Sequence, residues 1–167
     1  MKRILLVFFT LNFLASFISC SRNYNYDNIL IRKAIDGDTL ILANGQRLRL
    51  IGIDTPEINM NERLYSQAQR NKKDIQAIIG LGRKASEFTK RLVEGEFVKL
   101  EFDDERYDKY GRLLAYVYLK DGTFLNAKII EEGFAYLLTI PPNVRYTELF
   151  KRLYRQAREN KRGLWSN

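Results

Sequence analysis

Three short apolar runs follow one another between residues 28 and 53 with almost nothing between them, and they commit the chain to an antiparallel start. "NILIRKAID" (28–36) reads as a strand, Gly37 turns the chain, and "DTLILAN" (38–44) reads as a second strand. Asn44-Gly45 supplies the residue types a type I′ hairpin requires, because both central positions of that turn need φ > 0. The third run, 46–53, completes a meander.

Downstream, the pattern changes. Residues 58–80 carry many Lys, Arg, Gln and Asn and read as a loop with a polar helix. "RKASEFTKRLV" (83–93) places Ala85, Phe88, Leu92 and Val93 near one face of a helix. "EFVKLEF" (96–102) alternates cleanly, with Val98, Leu100 and Phe102 on one side, and the polar turn "DDERYDKYG" leads to a strand at 112–120. A short helix is expected over 125–132, stopped by Gly133. A short apolar piece at 134–140 runs into Pro141-Pro142, which no helix would cross. Leu149, Phe150, Leu153 and Ala157 recur at helical spacing in a last helix over about 145–161, and Trp165 is expected to pack back on the body. Five strands with a helix between the third and fourth match the order of an OB-fold, a small Greek-key barrel. The fold class is α+β, with about three helices. The expected organisation is a leader over 1–19, a tether over 20–27 and a single domain over 28–167.

Composition then narrows the chemistry. The 167 residues include no histidine and one cysteine, Cys20. Triads, histidine general bases, imidazole-bound zinc and disulfides are therefore excluded. Any catalysis must run on Asp, Glu, Arg, Lys, Tyr, Ser or Thr, with a hard cation as the natural helper. The formal net charge is +8, and removing Lys2 and Arg3 leaves +6. A basic surface of this kind favours a polyanionic partner.

The first 21 residues, "MKRILLVFFTLNFLASFISCS", have the charged start and apolar run of an export signal, too short for a comfortable membrane span. Cys20 directly after this run resembles the lipobox of bacterial lipoproteins. That resemblance implies lipidation of Cys20 and anchoring to a membrane; an ordinary signal cut near Ser21, giving a secreted or periplasmic domain, is the alternative.

Two acidic turns hold the most informative residues. Asp36 and Asp38 flank Gly37, and Asp54 and Glu57 close the third strand in "IDTPE". Four converging carboxylates repel one another unless a cation sits among them, and calcium, with six to eight oxygen ligands, suits an oxygen-only cluster. Arg49 precedes Asp54 on the same strand, and Arg112 opens another after "DKYG". An arginine fork grips phosphate oxygens and keeps its charge. A cation, carboxylates and two arginines are the components of phosphoryl transfer. Strict alternation, however, puts Arg49 and Asp54 on opposite faces, so the site requires a break in parity at Gly52.

Four motifs in order, "AIDGDT" (34–39), "RLIGIDTPE" (49–57), "DKYGRLLAY" (108–116) and "GLW" (163–165), resemble the staphylococcal nuclease family. The resemblance covers roughly residues 28–165. It implies an OB barrel with three helices and calcium-dependent hydrolysis of DNA and RNA to 3′-phosphate ends. Asp38 and Asp54 would be carboxylate ligands of calcium, the Thr55 carbonyl a third ligand, and Asp36 a carboxylate close behind them. Glu57 would activate or position the attacking water, and Arg49 and Arg112 would hold the phosphate. Lys109 and Tyr110 would contact a terminal phosphate of a bound nucleotide. The family's substrate-stacking tyrosines would fall near Thr139 and Pro141, where this chain has none; Tyr136 stands nearby. The segment 58–82 is longer than the family pattern implies. A monomer is expected. A binding OB module that does not cut, or a polyanion-binding lipoprotein, are the rival readings.

Overall fold

The computed structural model describes residues 24–59, 62–71 and 74–166. The leader and Cys20 lie outside the described residues.

The meander forms, with strands β1 (Ile29–Ala34), β2 (Thr39–Leu42) and β3 (Arg47–Leu50). The turn between β2 and β3 is not the expected type I′: of Asn44 and Gly45 only Gly45 has a positive φ, +86°. The Gly45 N–H donates to the Leu42 carbonyl at 2.9 Å, while the Leu42 N–H donates to the Gln46 carbonyl at 3.0 Å. A separate short strand, β4 (Gly52–Asp54), follows a break at Ile51. After two helices come β5 (Phe97–Glu101) and β6 (Leu113–Leu119). The strands close in the order β1-β2-β3-β6-β5, and β5 pairs back on β1. All barrel pairings are antiparallel except β3 with β6. Closure removes open sheet edges, the standard hazard of a small all-strand layer.

Alternation along the strands fills the barrel. Ile31, Leu40, Leu42, Leu48, Leu50, Leu113, Ala115 and Val117 are buried in one core. Removal of each large aliphatic side chain from water contributes about 1.5–3 kcal/mol. Ahead of β1, Tyr26 packs edge-on against Phe102 with ring centroids 5.1 Å apart, and its hydroxyl donates to Gln46 Oε1 at 2.9 Å.

The helical content between β4 and β5 is greater than the sequence pattern suggests. Helix α1 (Glu62–Asn71) precedes α2 (Ile75–Val93), which begins eight residues earlier than the expected 83. Asp74 caps α2, its side chain accepting from the backbone N–H groups of Gln76 and Ala77. The two helices share a small core of Leu64, Ile78 and Ile79, distinct from the barrel core. The tertiary pairing of α1 with α2 stabilises a segment whose polar composition resembles a loop.

Two C-terminal helices pack against each other, α3 (Leu125–Glu131) and α4 (Thr147–Glu159). Between them the apolar piece forms strand β7 (Tyr136–Leu138), which pairs antiparallel with β4 outside the barrel. Phe150 and Ala157 are the buried residues of α4, with Leu149 and Leu153 packed partly against the core. A one-turn 3₁₀ helix (Gly163–Trp165) ends the chain. Trp165 does pack back, edge-on between Tyr136 at 5.9 Å and Tyr154 at 5.2 Å.

Candidate active site

The break in parity that the arginine–carboxylate arrangement requires is present at Gly52. Its φ of +83° is accessible to glycine and strained for residues bearing a Cβ, and a Cβ there would also collide with the Phe150 ring. The break is pinned from α3: Asn126, fully buried, donates from Nδ2 to the Ile51 carbonyl at 2.9 Å and accepts from the Val117 N–H at 3.0 Å. Chain direction therefore changes between β3 and β4, and Asp54 comes round to the Arg49 side.

Arg49 and Asp38 are brought together by sheet register. Thr39 pairs with Arg49 across β2 and β3, which sets Asp38 beside the guanidinium. Arg49 is only 6% exposed and Asp38 5%. Arg49 Nε is 3.2 Å from Asp38 Oδ1, and Nη2 donates to Asp54 Oδ1 at 3.1 Å. Nη1 donates to the carbonyls of Leu50 and Ile53 at 3.0 and 2.8 Å. Among the described residues, three guanidinium N–H groups donate to protein oxygens and Nε faces the Asp38 carboxylate, which leaves one N–H on Nη2.

The second oxygen of Asp38 accepts from the Thr55 N–H at 2.7 Å and from the Thr55 hydroxyl at 3.0 Å. Asp36 folds back on its own turn, Oδ1 accepting from the N–H groups of Asp38 at 3.0 Å and Thr39 at 2.7 Å. Burial, and then the neighbouring Asp38 charge, push the Asp36 carboxyl up to about 6. Glu57 is half-buried after Pro56. Among the described residues no group of three or more Asp, Glu, His or Cys side chains stands close enough to hold a metal ion by itself. The donors gathered around Arg49 are the Asp38 and Asp54 carboxylates, hard oxygens that fit calcium or magnesium better than copper or zinc.

Arg49 also lines a cavity of about 500 Å³, together with Arg112, Asp108, Lys109 and Tyr110, and with Leu50, Ile51 and Ile53 among its apolar residues. The parallel pairing of β3 with β6 explains why the two arginines share it, since Leu113 sits opposite Leu48 and Arg112 enters at the mouth of β6. Asp108 orients Arg112: its Oδ2 accepts from Nε at 2.6 Å, while Oδ1 accepts from the N–H groups of Tyr110 and Arg112, both at 2.9 Å. Burial alone would raise the Asp108 carboxyl, but these hydrogen bonds and the guanidinium charge outweigh it and hold the pKa below the ordinary value. Among the described residues no protein acceptor takes either Nη group of Arg112. Lys109 and Tyr110 stand at the rim, Tyr110 72% exposed, with Lys109 Nζ 5.1 Å from its ring centroid.

Leu138 and Ile140 form the far wall of the cavity, where the family pattern led to Thr139 and Pro141. Tyr136 turns instead to Trp165. The loop beyond this wall is clamped to the loop after β5. Asn143, buried, accepts from the Glu105 N–H and donates to the Glu105 carbonyl, both at 2.8 Å, while Arg145 bridges Glu101 and Asp103.

Several of these supporting residues escaped the sequence reading. Asn126 was discoverable as the one uncharged polar side chain in the apolar run "LNAKII". Asp108 lies inside a motif already singled out, and Asn143 carries no local signal.

The order of acidic turns, arginines and cavity has counterparts in known proteins. The family model described as staphylococcal nuclease homologue matches residues 47–167. A thermonuclease of Staphylococcus intermedius is 34% identical over 165 residues, covering 97% of this chain and 90% of that protein. A thermonuclease of Staphylococcus hyicus is 36% identical over 148 residues, covering 87% and 79% respectively. The endonuclease YncB of Bacillus subtilis is 35% identical over 144 residues, covering 83% of this chain and 62% of that protein. The chain belongs to the staphylococcal nuclease homologue family.

Proposed function

We propose that this protein is a calcium-dependent nuclease that hydrolyses phosphodiester bonds of DNA and RNA, leaving 3′-phosphate ends. One observation carries the reading. Arg49 ties Asp38 and Asp54 together and also lines the cavity that Arg112 lines, and among the described residues no protein acceptor takes either Nη group of Arg112. A phosphate placed there would lie between a hard-oxygen cluster and two fixed cations. The names of the similar thermonucleases and of the endonuclease point the same way.

Calcium bound by Asp38, Asp54 and the Thr55 carbonyl would supply positive charge to a non-bridging phosphate oxygen. The chain's own residues do the rest. Glu57 orients a water and takes up its proton as the new bond to phosphorus forms; the bond to the 5′-oxygen breaks, and that oxygen leaves with a proton from solvent. Arg112, held by Asp108, and the remaining Nη2 proton of Arg49 stabilise the added charge on the equatorial oxygens. Lys109 and Tyr110 contact a terminal phosphate of the bound nucleotide, and a site that grips phosphate in this way makes no strong sequence choice.

The location is proposed on the leader alone: an exported protein held at a membrane by lipid on Cys20. Among the described residues no helix is long and apolar enough to cross a membrane. Metabolic labelling with a radioactive fatty acid tests this, and a Cys20→Ser variant that still carries label refutes it.

The activity is tested by incubating the purified protein with single-stranded and duplex DNA and with RNA, in calcium or in chelator. Calcium-dependent cutting that Glu57→Gln depresses by about 100-fold or more supports the reading. Tight, salt-sensitive binding with no cutting in any divalent metal refutes it.

A further inference from the structure

We propose that α2 acts as a ruler for the site: Gly82 and Thr89 on its buried stripe set the positions of the Glu57 turn and of the Asp36–Asp38 turn, and Gly82 is a positioning residue for Glu57. What Glu57 does rests on the nuclease reading; where it is held rests on contacts alone.

Gly82 is buried, together with Ile78, Ala85, Thr89 and Val93, on one stripe of the helix. A Cβ built at Gly82 would stand 2.6 Å from the Pro56 carbonyl oxygen and 2.7 Å from that of Glu57. Both obstacles are backbone, so neither can rotate aside, and Pro56 has its φ fixed by its ring. Any side chain at 82 must therefore displace the 56–57 turn or the helix by about half an ångström to restore ordinary contact. Glycine costs a helix about 1 kcal/mol relative to alanine, so a buried one at a close approach answers a packing demand. Gly80, two residues earlier on the same helix, has nothing within 4 Å of its Cβ position.

The second mark on the ruler is Thr89. Its hydroxyl, fully buried, donates to the Gly37 carbonyl at 2.9 Å, midway between Asp36 and Asp38. Positions 82 and 89 are two turns apart, a rise of about 10 Å on one face. The helix itself is locked at its start by the Leu64–Ile78–Ile79 core and at its end by Val93 in the barrel core. The two acid-bearing turns come from different strand ends, and a rigid helix, rather than either loop, spaces them.

The test compares Gly82→Ala with Gly80→Ala in the full chain. Gly82→Ala is expected to lower kcat at least tenfold with KM within twofold of the unaltered protein, while Gly80→Ala leaves both unchanged. On a Glu57→Gln background, Gly82→Ala is expected to cause no further loss, since its effect runs through Glu57. A crystal structure of Gly82→Ala is expected to show the Pro56–Glu57 backbone displaced. An unmoved turn, an unchanged kcat, or a full loss persisting on the Glu57→Gln background overturns the proposal. If the unaltered protein cuts nothing, the nuclease reading falls and the crystal structure alone decides where Glu57 is held. For Thr89, the valine variant is expected to need at least tenfold more calcium for half-maximal thermal stabilisation, with Thr89→Ser restoring the original concentration; equal behaviour of the two variants overturns that half of the ruler.

Discussion

The Arg49 guanidinium lies 3.2 Å from the Asp38 carboxylate, with 7% of each side chain exposed. Removing one partner of a buried pair strands the other, at a cost of about 3–5 kcal/mol. Arg49→Ala is therefore expected to unfold at markedly lower denaturant, by about 3 kcal/mol, as well as to lose activity. Arg112 pairs with Asp108 nearer the surface, where ion pairs contribute about 0–1 kcal/mol. Arg112→Ala is expected to lose activity by about 100-fold while its melting transition barely moves. Equal stability losses in the two variants would contradict this division of labour.

Calcium should stabilise the fold as well as support cutting. At a hundredfold excess over its dissociation constant, a ligand that binds only the native state contributes about 2.7 kcal/mol. Differential scanning calorimetry with and without calcium checks this. Asp54→Ala should abolish the calcium-dependent rise in melting temperature, and chelation should stop cutting. A rise that survives Asp54→Ala would place the cation elsewhere.

Asp108 makes a prediction about acid stability. Its folded pKa is held below the ordinary 3.8, so its contribution is fully present above that value and is lost as pH falls through the folded pKa. Asp108→Asn should melt less sharply with acid below about pH 4 than the unaltered protein. The same variant should also lose activity near neutrality, because Arg112 loses the carboxylate that orients it.

Binding of a non-cleaved single strand should weaken steeply with salt. Lys109→Ala is expected to reduce the slope of log K against log salt by about 1, and Tyr110→Ala to weaken binding by about 1–3 kcal/mol with the slope unchanged. Fluorescence titrations at three salt concentrations separate the two. A slope indifferent to Lys109 would remove it from the phosphate path.

The barrel was legible because its signals are local. Alternation in 29–54, Asn44-Gly45, and the clean pattern of Val98, Leu100 and Phe102 each report on a strand through its own side chains. A polar helix within 58–80 was legible, and α1 is that helix. The first two turns of α2 were not, since their stability comes from Leu64 meeting Ile78 and Ile79, a contact that local composition conceals. β7 was read only as an apolar piece, because a three-residue strand exists only through its partner β4.

By itself the sequence determined which chemistry is available: no imidazole, an oxygen-only ligand set, two arginines, and four motifs in the order of one family. It also demanded that parity break near Gly52 if Arg49 and Asp54 were to meet. The tertiary structure alone decided how that demand is met, through a positive φ at Gly52 held by Asn126 from α3. Only it showed that Arg49 commits most of its donors to gathering carboxylates and backbone carbonyls, that Asp108 aims Arg112, and that Leu138 and Ile140 wall the cavity. These are relations between residues distant in sequence, fixed by packing and register, and no local pattern encodes the distance between two side chains that meet only when the barrel closes.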